Sequence, residues 1–428
     1  MQLKNKTKPN LKVLLSTATC ALLGTASQAS TEESWEFDTA IMHYAEIDRV
    51  SATEAIIAGK KTFANDEVLN LKLTVDALTG ASPNGATAQP TAQTFTRPSG
   101  NGQYVVNAGE TPLDDTFHDT RVQLTGQWSQ PLLSDYVVSV GGNFSKEYDY
   151  MSASINGNLA RDFNQKNTTL SAGMSYAYDV IEPEGGLPTP FSSMVIGDSN
   201  ESGFDEAFNH TRMGSDDSKT TLDLLFGVTQ VINRNMIVQL NYSYSTASGY
   251  LTDPFKVVSA INASGVAEDY IYENRPDERT KHSFFGQTKY HFDTGILDAS
   301  YRFMTDDWEI DSHTVDVMYR IPFDNGHYIE PHLRVYTQSA ADFYQPFFSD
   351  DQIMPQYISS DYRIGDLDTY TVGIKYGLPV GNGNELAFRL EYYHQTPKNN
   401  GIEAVGVLND VELYEQVDAI IAQVTYSF

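Results

Sequence analysis

Asp198-Ser-Asn200-Glu-Ser202-Gly203 sets oxygen-bearing side chains at alternate positions, the spacing of the first half of a calcium-binding loop. The bidentate Glu such a loop needs at its twelfth position is Asn209 instead. Asp198, Asn200 and Ser202 therefore stand as a weak metal candidate, and a solvated, repulsive loop is the simpler reading. The segment around them, 181–217, carries Glu182, Glu184, Asp198, Glu201, Asp205, Glu206 and Asp216 against a single Arg212. Charged residues also gather with Tyr around other turn signals. These are Glu46, Asp48 and Arg49; Glu147 and Asp149 within KEYDY; Asp76; Asp342 within DFY; and Asp361 and Arg363 within DYR. Such groups either bind a ligand or lock loops to one another, and locking is preferred. Hydrolytic chemistry needs a nucleophile with a base in hydrogen-bond reach. His282-Ser283 are strand neighbours that point to opposite faces, and Asp311-Ser312-His313 brings only its Asp and His to one face. No Ser occupies a nucleophile elbow, so no catalytic residue is assigned.

Those residues must be positioned by strands. The chain ends VDAIIAQVTYSF, with Ile420, Ala422, Val424, Tyr426 and Phe428 alternating against Gln423, Thr425 and Ser427, the period of a strand with one apolar face. Sixteen such segments are expected, an even number: 35–46, 49–62, 67–78, 117–129, 134–146, 150–163, 167–180, 218–231, 236–249, 281–293, 296–307, 312–322, 328–341, 368–379, 385–396 and 417–428. Short connections hold the Asn, Asp and Gly of tight hairpins: 64–66, 129–131, 164–167, 233–235, 293–295, 324–326 and 381–383. Long ones, 79–116, 181–217, 250–280, 342–367 and 397–416, fall on the other side. A sandwich does not sort its loops by side in this way.

The N-terminus fits that architecture. Lys4, Lys6, Lys8 and Lys12 precede an apolar, Ser/Thr-rich stretch that closes on Ser27-Gln28-Ala29, the form of a secretory signal peptide. Residues 1–29 are expected to be removed, leaving 30–428 as one domain. The only cysteine, Cys20, goes with them, so the mature chain forms neither disulfide nor thiolate metal site. The formal charge moves from 28 − 56 = −28 to 24 − 56 = −32, which argues against nucleic acid as a partner. Past the signal no run of about 18 apolar residues exists to form a spanning helix. Tyr (26) outnumbers Phe (21) in a chain whose charged residues are only 20%, which favours a transmembrane antiparallel β-barrel of a Gram-negative outer membrane with aromatic girdles at both interfaces.

Strand parity turns Lys72, Arg121, Arg302, Arg320, Arg334, Lys375 and Arg389 inward, together with Asp223, Asp298, Asp316, Glu330 and Glu391. These either brace a wet barrel as ion pairs or line a solute pathway with rings of charge. The excess negative charge falls to the long loops, where a divalent cation is the one cofactor to consider.

DALTGASPNGA (76–86), FSKEYDYMSAS (144–154), NTTLSAG (167–173), GYLTDPFKVVS (249–259), YENRPDERTKHS (272–283), LRVYTQSAADFY (333–344) and SSDYRIGDLDTYTVGIKYG (359–377) together resemble DUF3570, a bacterial outer-membrane barrel family of unknown function. The resemblance covers nearly all of the mature chain. It implies genes often placed beside a flavin transferase and a thioredoxin-like protein, hence periplasmic or extracellular redox partners, but no catalytic residue. The terminal Phe428 strand also resembles the signal read by the outer-membrane insertion machinery. The expected function is a non-enzymatic barrel, either a channel or a conduit or anchor of a redox- or metal-related envelope system. A receptor or adhesion surface made by the loops is the alternative, and a hydrolase a more remote one.

Overall fold

The computed structural model describes residues 34–349, 351–381, 383–399 and 401–428. The expected signal peptide, 1–29, and Asn382 of one expected turn lie outside the described residues. Sixteen antiparallel strands close on themselves. They are β1 (Ser34–Glu46), β2 (Val50–Thr62), β3 (Val68–Pro83), β4 (Leu113–Leu133), β5 (Tyr136–Lys146), β6 (Tyr150–Phe163), β7 (Thr168–Ile181) and β8 (Asp217–Asn233), then β9 (Met236–Gly249), β10 (Glu278–Phe292), β11 (Gly295–Asp306), β12 (Asp311–Pro322), β13 (Tyr328–Gln338), β14 (Leu367–Pro379), β15 (Glu385–Pro397) and β16 (Val417–Ser427). Each strand pairs with its sequence neighbours, and β16 pairs with β1 from Asp38↔Ser427 to Glu46↔Ala419. Phe37 and Phe428 extend that seam by exchanging backbone hydrogen bonds of 2.7 and 2.9 Å.

Alternation decides what each face meets. Leu240, Val372, Leu390, Ile155 and Met174 project from the outside of the closed sheet and are more than half exposed to the surroundings, whereas Thr74, Asp76, Gln239, Thr371 and Glu391 on the other parity are buried. No helix among the described residues is long and apolar enough to cross a membrane; the strands do so. An outward apolar belt on a sheet with no free edge is the arrangement that satisfies every backbone group in lipid. The protein is therefore an integral barrel of the Gram-negative outer membrane.

One expected turn is displaced. Ser129-Gln130-Pro131 is not the hairpin: β4 continues to Leu133 and the chain turns at Ser134-Asp135. Pro131 lies beyond the first residue of β3, Val68, which pairs with Ser129, so it has a strand partner only in β5, where it faces Val137, a one-sided place of the kind that tolerates proline.

Seven inner connections are short, as are three outer ones, 47–49, 147–149 and 307–310. The other five outer connections are long: 84–112, 182–216, 250–277, 339–366 and 398–416. They contain their own elements. Val257–Ile261 pairs antiparallel with Ala267–Tyr272 and parallel with Phe347–Ser349, Gln93–Thr96 pairs with Gln103–Val106, and Phe204–His210 is helical. Phe95, Tyr104, Val257 and Tyr272 form one buried cluster, and Ile261, Phe347 and Leu408 another. The long loops thus fold into a cap with a dry core of its own.

Candidate functional site: the charged lumen and the cap above it

The cap bridges the outer mouth, as the roots of its loops show. Strands β4 to β9 separate the base of loop 84–112 from that of loop 250–277, and β10 to β15 separate the latter from loop 398–416. Yet Val257 N donates to Asn84 O at 2.9 Å, Thr87 N to Ser259 Oγ at 3.0 Å, and Val407 N to Ser264 O at 2.9 Å. Loops rooted far apart on the rim can meet only over the opening. Loop 339–366 also reaches the lumen face: Gln338, in line with Arg334 on β13, donates to Arg363 O at 3.1 Å and Gly365 O at 2.6 Å. Arg49 sits 5.8 Å over the Tyr362 ring and pairs with Glu415 at 2.6 Å.

A network of six charges, five of them buried or part-buried and Arg363 about half exposed, joins loops 250–277 and 339–366 to each other and to the end of β3. Asp361, 1% exposed, receives Arg275 at 2.8 Å and Arg363 at 2.6 Å. Arg363 also reaches Asp253, and Arg275 reaches Glu273. Ser359 Oγ donates to Glu273, and Lys256 Nζ donates to Pro83 O, the last residue of β3. Burial pushes the Asp361 carboxyl up, but Arg363, Lys256 and Arg275 outweigh it and hold the group well below the usual range. Glu273 goes the other way, because burial outweighs Arg275. Burial likewise lowers the Lys256 ammonium despite Asp253 and Asp361. Asp361, Glu273 and Arg275, the enclosed members of this set, are costly to unpair one at a time. Of the six, only Asp361 and Arg363 are among the candidates the sequence offers. The other four, Asp253, Lys256, Glu273 and Arg275, stand within GYLTDPFKVVS and YENRPDERTKHS, two of the segments that carry the family resemblance.

Along the barrel wall the charges meet in pairs. Arg320 Nε lies 2.9 Å from Glu330, Lys289 lies 2.9 Å from Asp298, and Arg121 lies 2.8 Å from Asp76, 3.8 Å from Glu54 and 3.9 Å from Glu147. Arg334 reaches Asp316 at 2.6 Å and Arg389 reaches Glu391 at 3.4 Å. Between these two carboxylates stands His332, which the sequence reading did not include. Its Nε2 is 3.2 Å from Asp316 and its Nδ1 2.8 Å from Glu391, an arrangement that only an imidazolium serves with donors on both sides. Lys375 lies over Tyr328 at 5.6 Å and Arg302 over Phe285 at 5.8 Å. Lys72 and Asp223 stand outside these pairs.

The remaining candidates are rim groups. Asp342 N donates to Trp308 O at 3.0 Å, Glu46 accepts from Tyr44 at 2.8 Å, and Asp48 occupies a left-handed turn with φ 57°. The oxygens of Asp119, Glu147 and Asp149 lie within 4.8 Å of one another; burial and Asp119, against Arg121, push Glu147 up to about 7. Asp198 Oδ1 is occupied by Asn200, accepting its backbone N at 2.9 Å and its Nδ2 at 2.6 Å. His313 and His282 face outward, bonded to Tyr301 at 2.7 Å and Tyr242 at 2.9 Å, while Ser312 is buried on the opposite face.

A family model described as a protein of unknown function, DUF3570, matches residues 12–428. Among curated proteins none matches. Among solved structures the chain is similar to CdiB from Acinetobacter baumannii (9% identity, TM-score 0.43, covering 92% of this chain and 60% of that one). It is also similar to OccK3 of Pseudomonas aeruginosa (7%, 0.41, 93% and 96%) and to the ferric enterobactin receptor PfeA (7%, 0.43, 92% and 60%). The chain thus spans about three fifths of the length of CdiB and PfeA. Identities this low transfer no function.

Proposed function

Because the chain belongs to DUF3570, a family of proteins of unknown function, membership brings no activity with it, and we propose from the geometry that the protein is a non-enzymatic, capped solute pathway through the outer membrane. The observation that carries this reading is a wall of paired charges of both signs beneath loops that meet across the mouth. A lumen built only for rigidity has no need of charge, since apolar packing in place of buried pairs is often as stable or more so. Charged linings suit hydrated polar solutes. The cap then acts as the gate, and its six-charge network as the latch.

Single-channel recording in planar bilayers tests this. The native protein should be silent or open rarely, and Asp361→Asn combined with Arg363→Gln should give frequent openings. A latch variant that stays silent at every salt concentration, though folded by heat-modifiable gel mobility, would leave the pathway reading without support.

A further inference from the structure

Loops 84–112 and 182–216 line an open cleft of about 580 Å³ between the turn Ser99-Gly100-Asn101, the turn Gly185-Gly186 and the segment from Ser199 to Ser215. That volume is typical of a small-molecule site. Its walls are set by backbone. Gly100, Gly185 and Gly186 have φ of 75°, 80° and 78°, the region open to glycine. A Cβ at Gly186 would fall 2.7 Å from Gly214 O, and one at Gly185 would collide with Pro98 O.

Arg212 lines this cleft. Its guanidinium lies between two rings, 4.1 Å from the centre of Phe208 and 4.8 Å from that of Tyr272. Nη2 donates to Tyr272 OH at 2.9 Å. Nε and Nη1 are buried and bonded to nothing among the described residues. This is an exception within the cap: Arg49, Arg97, Arg275 and Arg363 each meet a carboxylate. It is also an exception within its own loop, where seven acids surround one base in sequence and none forms an ion pair with it. A desolvated cation with free donors in so acidic a protein is a group kept for an acceptor from outside. Arg suits a planar carboxylate, and Phe204, Phe208 and Met213, which also line the cleft, suit an apolar body attached to it.

We propose that the cap binds a small organic carboxylate in this cleft, with Arg212 taking the carboxylate and Phe204 and Phe208 its apolar part. The site requires a folded cap but no conducting lumen, so it stands or falls apart from the pathway reading.

Saturation-transfer NMR on the full-length protein in detergent, with benzoate as probe and benzyl alcohol as its neutral counterpart, tests it. Benzoate should bind and benzyl alcohol should bind at least tenfold more weakly. Arg212→Gln should lose at least tenfold for benzoate while leaving benzyl alcohol unchanged, and Arg212→Lys should fall between. Ser99→Trp, which places an indole on another of the turns that line the cleft, should abolish benzoate binding too. Limited proteolysis of the cap checks the fold of each variant. Equal binding of the two probes, no benzoate binding to the native protein, or benzoate binding that survives both Arg212→Gln and Ser99→Trp overturns the proposal.

Discussion

Asp361 holds the latch because it is the one carboxylate shared by both arginines. Asp361→Asn leaves the enclosed Arg275 short of negative charge, and removing one partner of such a buried pair costs about 3–5 kcal/mol. Hydrogen exchange at Val257–Ile261, whose strand packs beside the network, should accelerate accordingly while the barrel strands keep their protection. Glu147 gives the opposite sign. Its folded value is raised to about 7 against an ordinary carboxylate near 4.3, so the native state favours the protonated form. Stability is then fullest below about pH 4 and falls until about pH 7, beyond which it is constant. Glu147→Gln should remove that fall, stabilising the rim turn by about 1–3 kcal/mol at pH 8, once discounted for its partial exposure, and changing nothing at pH 4. Exchange rates of residues 147–149 at the two pH values would read this directly. What sequence shows at this scale is which residues carry charge and, by parity, which face each takes. Which carboxylate meets which arginine depends on loops 250–277 and 339–366 folding together, and no periodicity encodes that. His332 was invisible for a related reason: its partners, Asp316 and Glu391, come from β12 and β15, and Glu391 lies two strands away.

The strands were legible because alternation and turn chemistry agree along the chain. Lipid outside and polar groups inside force strict parity, and a one-residue slip would invert every side chain. Where the two disagree, turn chemistry misleads, as at Pro131, a turn residue that lies within β4 past the last pair with β3. Strands inside the long loops went unread because they are short and buried in the cap, so they lack the alternation of a membrane strand. The closing seam has a testable residue of its own. Phe428 stacks on Phe37 at 5.5 Å and on Tyr426 at 5.1 Å, and its backbone ties the end of β16 to β1. Phe428→Ala should cost about 1–2 kcal/mol from lost aromatic contact and slow closure, visible as a smaller heat-modifiable fraction on unboiled gels at equal expression.

At the scale of the whole molecule, the outer membrane supplies the belt, the charged wall supplies a polar interior, and the cap decides whether the two sides communicate. Sixteen strands are enough to leave a water-filled channel, so the resistance of the barrel should lie in the cap rather than in the wall. The pH dependence of opening separates these. Asp361 is held below the ordinary carboxylate range because Arg363, Lys256 and Arg275 outweigh its burial. A depressed acid contributes its full stabilisation above its unfolded value, near 4, and loses it as pH falls through the lower folded value. Conductance through the native protein should therefore be equally low at pH 7 and pH 5 and rise only below about pH 4, reversibly on neutralisation. The Asp361→Asn, Arg363→Gln variant should already be open at pH 7 and gain little on acidification. If opening instead rose steeply between pH 7 and pH 5 in both proteins, the gate would be a different group, with the pair of carboxylates around His332 in the lumen the next to test.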